Sequence, residues 1–98
     1  MGRKIAYQDD QDKKFCQIEL DNGERILISV AQSGVKIFKL FFGIIPIKTI
    51  YQADLKTAVD LFMETEEWGR PILLDKIVTR LIDCPSIDDV LERLRSSF

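Results

Sequence analysis

The stretch that decides the fold is FCQIELDNGERILISV, residues 15–30. Apolar and polar side chains alternate on both sides of Asp21-Asn22-Gly23-Glu24, which is typical of two half-buried strands. Asn-Gly readily adopts the positive φ angles of a tight hairpin turn. The sequence therefore predicts an antiparallel hairpin whose apolar row consists of Cys16, Ile18 and Leu20 in one strand and Ile26, Ile28 and Val30 in the other.

The two-residue period continues beyond this hairpin. Gln32-Ser33-Gly34 predicts a second turn, residues 35–42 a third strand, and residues 44–51 a fourth strand after the break at Gly43. Because Pro46 has no backbone N–H, we expect it at a sheet edge or in a bulge. The pattern predicts an antiparallel β-meander of about four strands over residues 15–51.

Residues 1–14 are polar and charged, with Ile5 and Tyr7 as the large apolar side chains inside the segment. Two interpretations fit this composition. The segment is either a frayed tail or a short edge strand held by Ile5 and Tyr7. Residues 15–98 form the predicted single α+β domain.

After Tyr51 the apolar period becomes that of a helix, and two or three amphipathic helices are predicted over residues 53–66, 71–83 and 86–97. We expect Gly69 to end the first helix in a left-handed conformation. Pro71 suits the first turn of the second helix, and Ser86 with Asp89 resembles a capping box. Strands followed by helices indicate an α+β fold with the helices packed on the sheet.

The chain of 98 residues contains no histidine, which excludes Ser-His-Asp and Cys-His chemistry. Cys16 and Cys84 are far apart in sequence and are expected to be buried reduced thiols rather than zinc ligands. The five glycines are scattered singly, so no glycine-rich phosphate loop is present. We therefore expect no enzymatic activity, no cofactor, no metal site and no small-molecule ligand.

The longest apolar run, residues 40–47, is far shorter than the roughly 18 consecutive apolar residues of a membrane span. The N-terminus carries no apolar signal region. We expect no membrane association and a cytoplasmic location.

The segment FFGIIPI, residues 41–47, is apolar at both alternating sets of positions. One interpretation is a long bent strand buried on both sides. The other is an exposed surface for self-association or for a protein partner, with Phe41, Phe42, Ile44, Ile45, Pro46 and Ile47 as interface candidates. Trp68, between the first two helices, is a further interface candidate, because Trp is enriched at binding hot spots; its alternative role is packing over the core.

The leading hypothesis is a small non-catalytic protein that acts by association, as a homodimer or as a protein-binding module. The alternative is a nucleic-acid-binding regulator that uses β-sheet lysines and phenylalanines: Lys36, Lys39 and Lys48 with Phe38 or Phe41. Nucleic acid is the less favoured partner, because the positive excess of this half of the chain is small and because Lys36 and Lys39 are predicted on opposite faces.

Overall fold

The computed structural model describes residues 2–10, 12–41, 45–63 and 69–96. This part of the chain is an α+β domain in which five strands precede three helices, and the strands form one antiparallel sheet in the order β1-β2-β3-β4-β5. The predicted fold class is confirmed. The strands are β1 (Arg3–Asp9), β2 (Lys13–Glu19), β3 (Arg25–Ala31), β4 (Gly34–Phe41) and β5 (Ile45–Ala53), and the helices are α1 (Leu55–Phe62), α2 (Arg70–Leu81) and α3 (Ile87–Arg95).

The polar N-terminal segment contains an edge strand, so the sheet has one strand more than the predicted meander. β1 pairs antiparallel with β2, with a register shift between Lys4 and Ala6. Burial of Tyr7 does not hold this strand, because that side chain is 55% exposed. Backbone pairing and the ion pair between Arg3 and Glu19, at 3.1 Å, join β1 to its neighbour.

The turns follow the predictions closely. Gly23 has a φ of +88° in the β2–β3 turn, and its N–H donates to the Leu20 carbonyl at 2.9 Å. Pro46 lies on edge strand β5, next to a register shift between Lys39 and Leu40 of β4. Both expected locations for this proline, an edge and a bulge, therefore occur together.

The helices cover one face of the sheet. Cys16, Ile28 and Ile37 lie side by side across β2, β3 and β4 and are buried. α2 packs on β2 and β3, and α1 packs on β4. Every second residue of these strands points to the helices and forms the sheet side of the core. The apolar faces of two helices form the other side: Leu73, Leu74, Ile77, Val78 and Leu81 from α2, and Ile87, Val90 and Leu94 from α3.

Two helix ends differ from the predictions. α1 ends at Phe62 because Met63 adopts an extended backbone, with φ −104° and ψ 138°. Gly69 also has an extended backbone, with a φ of −150°, and precedes α2, so its prediction as a left-handed end of α1 is wrong. Pro71 lies in the first turn of α2 as predicted, and the Ser86 Oγ accepts the Asp89 N–H at 3.4 Å at the start of α3.

Candidate association surfaces

The end of the β4–β5 hairpin is apolar and exposed. Phe41 is 48% exposed, Ile45 56% and Ile47 53%. Phe41 and Ile45 are direct partners across the two strands. Of the described residues, only Tyr7 and Ile72 are other large hydrophobic side chains with comparable exposure.

The structure brings four of the predicted interface residues together at this hairpin end. Pro46 is exposed as well, so these four residues, Phe41, Ile45, Pro46 and Ile47, are not part of a strand buried on both sides. The predicted candidates Phe42, Ile44 and Trp68 lie outside the described residues. Phe41, Ile45, Pro46 and Ile47 together form the hairpin end.

Edge strand β5 is poorly suited to pairing with a further strand. Pro46 lacks a donor, and register shifts occur opposite Ile37/Phe38 and Lys39/Leu40. Prolines, lysines and bulges are the features that protect sheet edges from added strands. A partner at the hairpin end is therefore expected to contact side chains rather than extend the sheet.

A second apolar group lies on the sheet face turned away from the helices, here called the open face. Strand alternation and register place Phe15, Leu27, Phe38 and Leu40 on it, with Leu27 and Phe38 as direct cross-strand partners. Leu40 is buried, and the other three are half-buried. None of the four belongs to the core cluster that the described helices share with the sheet.

The open face is basic at its periphery. The same register gives it Arg3, Lys13, Arg25 and Lys36 and one carboxylate, Glu19. Glu19 accepts from Arg25 at 3.0 Å and from Arg3 at 3.1 Å, and these two hydrogen bonds hold the pKa of Glu19 below its ordinary value.

The basic face was not predicted from the sequence, because two of its four basic residues, Arg3 and Lys13, lie in the segment 1–14, for which a tail and an edge strand were both open interpretations. The alternation Lys13-Phe15-Gln17-Glu19 was a usable signal, since it places a lysine and an aromatic ring on the face opposite Cys16 and Ile18.

The lysines of the nucleic-acid hypothesis divide between the two faces. Lys36 and Phe38 lie on the open face, whereas Lys39 and Lys48 face each other across β4 and β5 on the helix side of the sheet. Lys39 Nζ lies 3.9 Å from a carboxylate oxygen of Glu24. The predicted opposite orientation of Lys36 and Lys39 is confirmed.

The polar groups near the helices have structural partners. Arg93 donates to Asp83 at 2.5 Å and to the Arg80 carbonyl at 2.6 Å.

Cys16 and Cys84 are free and buried, and burial raises the pKa of both thiols. Within the described ranges, no group of three or more Cys, Asp or Glu residues could hold a metal ion.

Glu24 joins the β2–β3 turn to α3. Its carboxylate accepts from the Asn22 side chain and, at 3.2 Å, from the Ile87 N–H at the start of α3. The Asn22 bond, then the Ile87 bond and Lys39, hold the pKa of Glu24 below the 4.5 of an unperturbed glutamate.

A lowered carboxylate pKa contributes stability above the unfolded-state pKa, and that contribution is lost as the pH falls through the lower, folded-state value. We therefore expect the free energy of unfolding to decline below about pH 4.5. Glu24→Gln should make this decline shallower, without abolishing it, because Glu19 and Asp54 also have lowered pKa values. Urea unfolding of both proteins at a series of pH values measures the difference, and equally steep profiles would contradict the role of Glu24.

Comparisons with known proteins add no family assignment. No protein-family model, no curated protein and no solved structure gives a significant match to this chain. In the part of the chain that the structure covers, no helix is long and apolar enough to cross a membrane. The hairpin end and the open face are therefore the two candidate sites of this protein.

Proposed function

We propose that this protein is a non-catalytic association module, and that two copies contact each other through the hairpin end. The supporting observation is the clustering of Phe41, Ile45 and Ile47, each about half exposed, at one end of the sheet. Exposed apolar groups of this kind mark association sites more often than isolated surface hydrophobics do. We also propose a cytoplasmic location, where buried thiols such as Cys16 and Cys84 remain reduced.

The size of the hairpin end predicts weak, reversible association. Three half-exposed side chains offer roughly 300 Å² of apolar surface. A standard stable interface buries about 800 Å² on each partner. We therefore expect a monomer–dimer equilibrium that depends on concentration, rather than a permanent dimer.

Sedimentation equilibrium tests this proposal over a wide concentration range. The wild type is expected to rise from 11.3 kDa toward twice that mass as concentration increases. The double variant Ile45→Ser/Ile47→Ser should remain monomeric, since it removes the apolar contact while leaving the buried core intact. Ile72→Ser is the matched control, because Ile72 on α2 is 50% exposed but lies outside the hairpin end.

A wild type that stays monomeric at the highest concentration would overturn the homodimer. Dimerisation that persists in the Ile45/Ile47 variant would place the contact elsewhere. Equal weakening by Ile72→Ser would indicate nonspecific hydrophobic association instead of a defined surface.

A further inference from the structure

We propose that the open face binds single-stranded nucleic acid, with Phe15 and Phe38 as stacking surfaces for bases and Lys36, Lys13, Arg25 and Arg3 as phosphate contacts. This site lies apart from the hairpin end and does not depend on the association proposed there. Its basis is the placement of aromatic, amide and basic side chains together on one sheet face.

Two aromatic rings, those of Phe15 and Phe38, lie on the open face. An antiparallel sheet covered by helices on one face normally carries polar residues on the other. Here Phe15 and Phe38 lie on the face of β2 and β4 that points away from the described helices, and both are only half-buried. Aromatic side chains on an exposed sheet are the platforms on which single-stranded bases stack.

The open face carries a net positive charge. Four basic side chains and one carboxylate give the open face a formal charge of +3. The whole chain carries −2, so all other residues together carry −5. Because Arg3 and Arg25 share the single carboxylate of Glu19, the ion pairs do not neutralise the face. This uneven distribution of charge attracts a polyanion to the open face and repels it from the rest of the molecule.

A row of polar side chains next to Phe15 favours nucleic acid over an acidic protein partner. One row across the sheet reads Gln8, Phe15, Ser29, Lys36 and Gln52. The exposed Gln8 amide beside Phe15 and the exposed Gln52 amide beside Lys36 provide donors and acceptors for base edges, whereas Ser29 is buried. The exposed Lys36 in the same row suits a phosphate. The core of a protein–protein interface is depleted in charged residues and in lysine, so Lys36 within this row favours a polyanion over a docked protein.

Two lysines of β4, Lys36 and Lys39, provide a matched pair of variants for the test. Lys36→Gln and Lys39→Gln change the net charge equally, but Lys36 lies on the open face and Lys39 on the helix side. Fluorescence anisotropy with labelled oligo(U) and oligo(dT), titrated at several salt concentrations, measures binding. We expect Lys36→Gln to weaken binding and to make the salt slope shallower by about 0.7, the value for one contact to a single strand. Lys39→Gln should leave the binding affinity and its salt dependence unchanged.

A second variant tests base stacking. Phe38→Leu keeps an apolar side chain but removes the ring, and we expect roughly tenfold weaker oligonucleotide binding. Circular dichroism and thermal melting confirm that each variant is folded.

The proposal would be overturned by a lack of oligonucleotide binding at low salt, by equal effects of Lys36→Gln and Lys39→Gln, or by unchanged binding in Phe38→Leu. A poly-glutamate peptide that competes as well as oligo(U) would also overturn it, by assigning the face to an acidic protein. Sedimentation of the same variants keeps this result separate from the association test, because Lys36→Gln and Phe38→Leu leave the hairpin end intact.

Discussion

Gly34→Ala is expected to destabilise the fold by about 3 kcal/mol or more. Gly34 begins β4 with a φ of +136°, a conformation that L-residues rarely adopt. A Cβ atom at this position would lie 2.3 Å from the Ala53 carbonyl oxygen and 3.2 Å from the Asp54 Cα. Both neighbours are backbone atoms, so a side-chain rotation cannot relieve the contact. Asp54 is the N-cap of α1, and its Oδ1 accepts the Thr57 N–H at 2.7 Å, so displacement there would also disturb the start of that helix.

Gly23→Ala is the matched control for this prediction. Gly23 also has a positive φ, +88°, but no atom lies within 4 Å of the Cβ it would acquire. Its cost should therefore be limited to backbone strain, about 1–2 kcal/mol. Urea unfolding followed by circular dichroism measures both variants. If Gly34→Ala and Gly23→Ala lowered the free energy of unfolding by similar amounts, the short distance between position 34 and Ala53 would add nothing to the backbone strain.

Ile28→Ala is expected to lower the free energy of unfolding by roughly 2–5 kcal/mol. Ile28 is fully buried in β3 between Cys16 and Ile37, and α2 packs on this strand. Truncation would leave a cavity in the layer between sheet and helices, because close-packed surroundings relax only partly into it.

Leu27→Ala, one residue earlier, should cost only about 1 kcal/mol. Leu27 points to the open face, is half-buried and lies outside the core cluster. Chemical denaturation of the two variants compares adjacent residues on opposite faces of one strand. If Leu27→Ala were as costly as Ile28→Ala, the open face would be a second core, and the proposed nucleic-acid site would lose its accessible surface.

The parts of the fold that could be predicted from sequence are those with local causes. Asn22-Gly23 favours its turn because these two residues tolerate the positive φ angles that a tight hairpin turn requires. The Ser86 cap and Pro71 act within one helical turn, and both occur where predicted. The end of α1 and the conformation of Gly69 were missed, since Met63 belongs to the apolar face of the predicted helix by its spacing and yet adopts an extended backbone.

The candidate sites were predictable only in part. The surplus of apolar residues at 41–47 is visible in the sequence, but whether they are covered depends on elements distant along the chain. The open face was harder to predict, because Arg3 and Lys36 reach one surface only through the pairing of β1 with β2 and of β3 with β4.

By itself, the sequence determined the β-meander, the helices that follow it and the absence of histidine chemistry, because periodicity, turn residues and composition act locally or need no geometry. The tertiary structure decided the use of the N-terminal segment as an edge strand, the exposure of the hairpin end and the gathering of four basic residues on the open face. These features depend on strand register and on which sheet face the helices cover. Both are set by contacts between residues far apart in the chain.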